Sequence, residues 1–246
     1  MDLGLSGKRA VVAASSSGLG LACAQALAAE GATVAMGSRD KDRIEAAAAG
    51  IDGAIPLVGD VSTVEGATAF TTAAVEALGG VDILIANAGG PPPGTFASTP
   101  LATYPDALAL NLLSTVAMCE VTVPAMQQQG WGRVVALTSV SVRQPISNLI
   151  LSNTARAGLT GFLKTLALEV AGDGVTVNSV QPGLHATPRL SSIPGALTDR
   201  AVGVPAGRIG APEDFGRVAT FLCSESANYI TGVALNVDGG SYGGLQ

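Results

Sequence analysis

Short β-branched and aliphatic runs alternate along the chain with longer stretches rich in alanine and leucine. The apolar runs predict strands at 9–13, 33–36, 54–57, 83–86, 133–138, 175–180 and 233–237. The stretches between them predict helices at 18–29, 40–49, 64–78, 104–129, 149–171 and 212–223. The strands are continuously apolar rather than alternating, which is what a sheet covered on both faces requires. Strict β–α alternation with such strands predicts an α/β fold, a parallel sheet wound in both directions. Right-handed crossovers then place helices on both faces. No internal repeat or linker marks a second unit, so the expectation is one domain over 1–246.

Two stretches break the pattern. Residues 89–100 hold three consecutive prolines, which lack the amide donors that a helix interior needs. Residues 183–204 contain Pro188, Pro194, Gly195 and Gly203. Both follow the carboxyl ends of strands, where open α/β sheets bind ligands. They are therefore expected to rim a substrate pocket; the plainer alternative is a pair of surface loops.

Composition narrows the function. Hydrophobic residues make up 48% and charged residues 13% of the 246 positions. That leaves apolar surface to spare for contacts between subunits. A formal charge of −6, with a pI near 4.7 and no basic run, argues against nucleic acid or an anionic membrane as partner. No continuous apolar run approaches the ~20 residues that cross a bilayer. Cys23, Cys119 and Cys223 are far apart, and His185 is the sole histidine, so neither a metal site nor a disulfide framework is expected. The first predicted strand begins at Arg9, close to the start of the sequence, so no secretory leader and a cytoplasmic location are expected.

The chemistry begins after the first strand, at Ala14-Ser15-Ser16-Ser17-Gly18-Leu19-Gly20. Glycines there let backbone approach a pyrophosphate, and the following helix offers free amides and a positive dipole end. Such turns also occur without a ligand. The second strand runs into Arg39, where an acidic residue would bind a ribose 2′-OH. An arginine suits a 2′-phosphate instead, so NADP(H) is favoured over NAD(H), unless Arg39 is only a solvated residue at a helix start. Asp60 and Val61 close the third strand, and Asp60 is placed either to reach an adenine amino group or to cap the next helix.

With Asn87-Ala88-Gly89 after the fourth strand, the set resembles the short-chain dehydrogenase/reductase family, most of all its acyl-carrier-protein ketoreductase branch. The resemblance spans nearly the whole chain in order: the turn at 13–20, Asp60, Asn87-Ala88-Gly89, Asn111, Ser139, the stretch Asn178-Ser179-Val180-Gln181-Pro182-Gly183, Thr187, and Asn236-Val237-Asp238-Gly239-Gly240. It implies a seven-stranded Rossmann sheet, a homotetramer, and hydride transfer between a nicotinamide cofactor and a small carbonyl or alcohol. It implies dinucleotide contacts from Ser15, Ser16, Ser17, Gly18, Leu19, Gly20, Arg39, Asp60, Val61, Asn87, Ala88, Gly89, Arg156, Pro182, Gly183, His185 and Thr187. The family's catalytic set is Asn, Ser, Tyr and Lys. Asn111 and Ser139 match the first two.

Two departures stand out. The turn usually opens Thr-Gly but here reads Ala13-Ala14, so it is expected either to be reachable at negative φ or to be slightly altered. More important, the family's Tyr-x-x-x-Lys falls at Ser152-Asn153-Thr154-Ala155-Arg156. Four residues apart on a helix, Ser152 and Arg156 share a face and can both point at the nicotinamide ribose. A serine hydroxyl is far less acidic than a phenol, whose reference pKa is ~10. Arginine holds positive charge but cannot relay a proton as lysine does. His185, Tyr104 and Arg143 are the other groups expected near the cleft. The residues therefore leave three readings open: an oxidoreductase with altered proton transfer, a dinucleotide-binding protein without redox turnover, and non-redox chemistry on the same fold.

Overall fold

A computed structural model describes residues 2–191 and 201–245. The pocket-rim stretch predicted at 183–204 therefore lies partly outside the described residues. Seven parallel strands form one sheet in the order β3-β2-β1-β4-β5-β6-β7. They are β1 (Arg9–Val12), β2 (Thr33–Ser38), β3 (Ile55–Val58), β4 (Ile83–Ala86), β5 (Gly132–Leu137), β6 (Val175–Pro182) and β7 (Ala234–Val237). Pairing runs through β1 in both directions, with Val11 opposite Ala35 on one side and Leu84 on the other. The chain thus leaves β1 for one edge and later returns to build the other. The cleft at the carboxyl ends of β1 and β4 lies at that change of direction, where such sheets bind ligands.

The two faces divide the strand residues in turn, as a period of two demands. Val11, Leu84 and Val134 face a core shared with α3 (Val64–Leu78), α5 (Ser114–Gln128) and α6 (Ile150–Val170). Val12, Ile83, Ile85 and Val135 face the opposite core. That core is closed by α1 (Gly18–Ala29), α2 (Lys41–Ala48) and α8 (Pro212–Leu222). Two short helices complete the described set, α4 (Tyr104–Leu108) and α7 (Pro188–Ser191).

The structure corrects one sequence expectation here. The single helix predicted over 104–129 is α4, a π-helical turn at Ala109–Leu113, and α5. Wide turns of this kind recur at functional positions, and this one carries Asn111. The helical stretch Leu101–Gln128 is also long and apolar enough, by length and composition, to cross a membrane, although no uninterrupted apolar run reaches that length. Half of that apolar window is buried within the fold.

Candidate active site

The glycine-rich turn is held from three sides. The Asn87 side chain donates to Ala14 O at 3.0 Å. Ser15 is fully buried; its hydroxyl donates to Val12 O at 2.9 Å and accepts from Gly37 N at 3.1 Å. Ser15 thereby ties the turn to β2, and its hydroxyl does not face the cavity. Ala14 adopts φ 47°, so the turn is not reached at negative φ. A left-handed non-glycine residue costs about 1–2 kcal/mol, and the three anchors hold it there. At Gly20 a side chain is excluded outright, since a Cβ would lie 2.5 Å from Ala14 O and 2.8 Å from Asn87 Nδ2. Ser17 occupies the N-cap position of α1 without a side-chain cap, and no acidic residue sits in the first turn. These amides and the dipole end are open to an anion.

Beyond β2, Asp40 caps α2 by accepting from Arg43 N at 3.0 Å. Arg43 then reaches back, its Nη2 3.3 Å from Ser17 Oγ. Sequence reading missed Arg43; its one signal was its place in the first turn of the helix that Arg39 precedes. Arg39 itself is largely exposed, with Nε 3.9 Å from Asp60 Oδ1. Asp60 does not cap the following helix. Thr63 does, accepting from Gly66 N at 3.1 Å, while Asp60 accepts from Ser62 N at 2.9 Å. The Val61 side chain is buried in the core.

The carboxyl ends of β1, β4, β5 and β6 surround a cavity of about 620 Å³. Of the residues predicted for the site, Ser17, Gly18, Leu19, Gly20, Asn87, Ala88, Gly89, Ser139, Ser152, Arg156, Pro182, Gly183, His185 and Thr187 line it. Ser15, Ser16, Arg39, Asp60, Val61 and Asn111 do not. Asn111 sits just behind the wall, 2% exposed, its Nδ2 donating to Gly89 O at 2.7 Å. Its Oδ1 is buried without a hydrogen-bond partner. A buried acceptor left in that state costs free energy and marks a place for water or a ligand group.

Ser139 opens a 3₁₀ turn, Val140–Val142, and its hydroxyl accepts from Ser141 N at 3.1 Å. The hydroxyl proton remains free to donate into the cavity. Ser152 and Arg156 are one turn apart on α6, as their spacing predicts, and both line the cavity. Ser152 Oγ makes no hydrogen bond among the described residues. Arg156 is buried, its Nη1 donating to Leu137 O at 2.8 Å and Thr138 O at 3.1 Å. Burial, and secondarily repulsion from Arg189, pushes its pKa down to about 10, which leaves it cationic at neutral pH.

His185 lines the cavity, but its ring packs edge-on against Phe215 of α8 at 5.2 Å. Nδ1 lies 3.3 Å from Gly183 O. Burial lowers its pKa against the opposing pull of that carbonyl and of Asp214, so the ring is neutral near pH 7. Tyr104 and Arg143 do not line the cavity, and Arg143 Nη2 donates to Ala234 O at 3.1 Å. Tyr242 does line it, and sequence reading missed it. Its backbone amide is fixed 2.8 Å from the Asp238 carboxylate. The two predicted rims meet across the opening, where Arg189 Nη1 lies 3.4 Å from Gly90 O.

A family model described as enoyl-(acyl carrier protein) reductase matches residues 13–242. Nodulation protein G of Azospirillum brasilense is 36% identical over 245 residues, covering 96% of this chain and 98% of that one. The 3-oxoacyl-acyl-carrier-protein reductase of Aquifex aeolicus (strain VF5) is 32% identical, covering 98% of this chain and 100% of that one. The crystal structure of L-sorbose reductase from Gluconobacter frateurii, complexed with NADPH and L-sorbose, superposes with a TM-score of 0.93 at 34% identity and full coverage of both chains. The chain belongs to the short-chain dehydrogenase/reductase family.

Proposed function

We propose that this protein is an NADP(H)-dependent oxidoreductase that interconverts a carbonyl and an alcohol, with Ser152 and Arg156 in the positions where the family pattern has tyrosine and lysine. The observation that carries this reading is the convergence of Ser139, Ser152 and Arg156 in one cavity that runs on to the uncapped amino end of α1. The residues present fit a nicotinamide dinucleotide. The bare Gly20 and the open first-turn amides suit its pyrophosphate, and Arg156 suits the ribose beside the nicotinamide. Ser17, Arg39 and Arg43 gather hydroxyl and guanidinium donors where a 2′-phosphate would lie. Asp60 offsets little of that charge, because an exposed pair at 3.9 Å is worth at most ~1 kcal/mol.

Bound there, the reduced nicotinamide supplies the hydride. Ser139 donates a hydrogen bond to the carbonyl oxygen and polarises it. Arg156 steadies the negative charge that grows on that oxygen, but it gives up no proton at neutral pH. Ser152 leaves room for a water beside the same oxygen, and that water delivers the proton. Asn111 Oδ1, without a partner in its present setting, accepts from a water that links this proton to solvent. A positioned general acid is worth about 10²–10⁴ in rate, so turnover is expected to be slow by that factor relative to a tyrosine-bearing enzyme.

Assembly as a homotetramer is part of the proposal. Leu168 on α6 is 72% exposed and Phe96 86% exposed, apolar surface suited to subunit contact. Light scattering that reports a monomer at micromolar concentration removes it. The cofactor assignment is tested by calorimetric titration of NADPH and NADH against native protein, Arg39→Ala and Arg43→Ala. NADPH is expected to bind at least about tenfold more tightly than NADH, with each substitution narrowing the gap. Equal affinities in the native protein, or a gap that neither substitution changes, refute the assignment.

A further inference from the structure

We propose that the substrate of this cavity carries a free carboxylate, seated on Arg156 and Ser152 beside the carbonyl that Ser139 holds: a short 2-oxo or 3-oxo acid, or the corresponding hydroxy acid. The inference rests on the oxidoreductase reading above and names its substrate class.

Charge is the first argument. No aspartate or glutamate lines the cavity among the described residues, whereas Arg156 and Arg189 both do. Arg156 is 9% exposed, and no carboxylate lies within ion-pair distance of it among the described residues. Its two hydrogen bonds are both made by Nη1, to neutral carbonyls. A guanidinium has five donors in a planar fork that matches a carboxylate, and a buried charge without a counter-ion is costly. A substrate anion removes that cost.

Space is the second argument. At the family's tyrosine position this chain has Ser152, shorter by an aromatic ring, lining the cavity with a hydroxyl that has no partner. A carboxylate there would accept from Ser152 Oγ and from the guanidinium donors that the ribose leaves unused. Where the family pattern would place a phenol beside the cation, the volume here is open, which leaves room for a substrate group next to Arg156.

Length is the third argument. The Arg156 guanidinium is anchored 3.1 Å from Thr138 O, and the next residue is Ser139. Neighbouring residues thus hold the two groups, which suits a carboxylate bonded directly to the carbonyl carbon, as in a 2-oxo acid, or one carbon away from it, as in a 3-oxo acid. Leu137, Val140, Ile146 and Leu149 line the same cavity and leave an apolar berth for a short chain. A ketoacyl thioester, whose acyl carboxyl is blocked, lacks the group this arrangement would bind.

The test uses the full chain saturated with NADPH, so that the dinucleotide phosphates are already in place and no hydroxy compound can turn over. Lactate and 3-hydroxybutyrate are titrated calorimetrically beside their neutral methyl esters, in native protein, Ser152→Tyr and Ser152→Leu. At least one acid is expected to bind tenfold or more tightly than its ester, with the preference shrinking as salt is raised. Either bulky substitution that folds by circular dichroism is expected to erase the preference. Acid and ester of equal affinity in both pairs, or a preference that survives a folded bulky variant, overturns the inference. NADPH saturation is confirmed separately; native protein that fails to bind NADPH refutes the underlying reading instead.

Discussion

The two ends of the sheet each bury an arginine, and the two are treated in opposite ways. At the amino end Arg133 is 1% exposed on β5. Its Nη1 donates to Gly132 O at 2.8 Å, its Nη2 bonds Asn228 Oδ1, and its guanidinium lies 4.1 Å from the Trp131 ring centroid. Glu225 supplies a carboxylate at 4.0 Å and also accepts from Trp131 Nε1 at 2.7 Å. Nearby, Arg9 clasps Asp82 through two bonds, at 2.8 and 2.9 Å. At the carboxyl end Arg156 touches two carbonyls, Ser152 touches nothing polar, and Asn111 Oδ1 is orphaned. Arg133 Nε also lacks a hydrogen-bond partner, so the contrast lies in the counter-ion: the buried cation has a carboxylate beside it at the amino end and none among the described residues at the carboxyl end, an arrangement that suits an anionic ligand there.

That contrast can be broken by substitution, and the largest effect is expected at the amino end. Arg133→Met leaves Asn228 and a buried carbonyl without their donor. It should cost about 3 kcal/mol in urea unfolding, the upper end of the range for leaving a hydrogen-bonding group without its partner. Asp82→Asn comes next, at about 2 kcal/mol, because the bonds from Arg9 are charge-assisted. Burial raises the Asp82 pKa, but the bonds from Arg9 outweigh it and hold the carboxyl below its ordinary range. The stabilisation is therefore present above the ordinary carboxylate pKa and lost as pH falls through the lowered folded value. Melting temperatures measured downward from pH 6 should fall more steeply in native protein than in Asp82→Asn.

At the carboxyl end the expected result is a separation of stability from binding. Arg156→Leu should unfold within about 1 kcal/mol of native protein, since a buried cation without a counter-ion contributes little. The same variant should lose roughly 1–3 kcal/mol of NADPH affinity, the scale of charge-assisted hydrogen bonds. A loss of stability as large as that of Arg133→Met would erase the contrast. The smallest effect is expected at the turn. Ala14→Gly relieves the φ of 47° but adds unfolded-chain entropy, for a net gain of about 1 kcal/mol or less in the same urea assay.

The sequence made the sheet legible because buried strands must be continuously apolar, and the helices between them are longer stretches rich in alanine and leucine. Strand β4 and helices α1 and α3 lie where the pattern predicts. The π-helical turn at Asn111 was hidden, since one extra residue in a turn leaves local composition unchanged. Much of the site was also legible, because its glycines, serines and helix spacing are local. What escaped depends on contacts distant in sequence. Arg43 meets Ser17 across 26 positions, and Tyr242 reaches the cavity from a glycine-rich tail. Ser15 turns inward because Gly37 and Val12 take its bonds, and His185 faces Phe215 because α8 packs there. No spacing rule encodes such pairings.

The central claim is that Ser152 and Arg156 hold the place of a proton-transfer pair beside a bound nicotinamide. Single-turnover oxidation of NADPH tests it most directly, in native protein, Ser152→Tyr, and the double variant Ser152→Tyr/Arg156→Lys, against a β-ketoester and a quinone. Slow oxidation is expected in native protein, with a rise in Ser152→Tyr and a larger rise, toward the ~10²–10⁴ that a positioned acid contributes, in the double variant. Robust native turnover that the double variant abolishes, or bound NADPH that no variant oxidises, would contradict the claim.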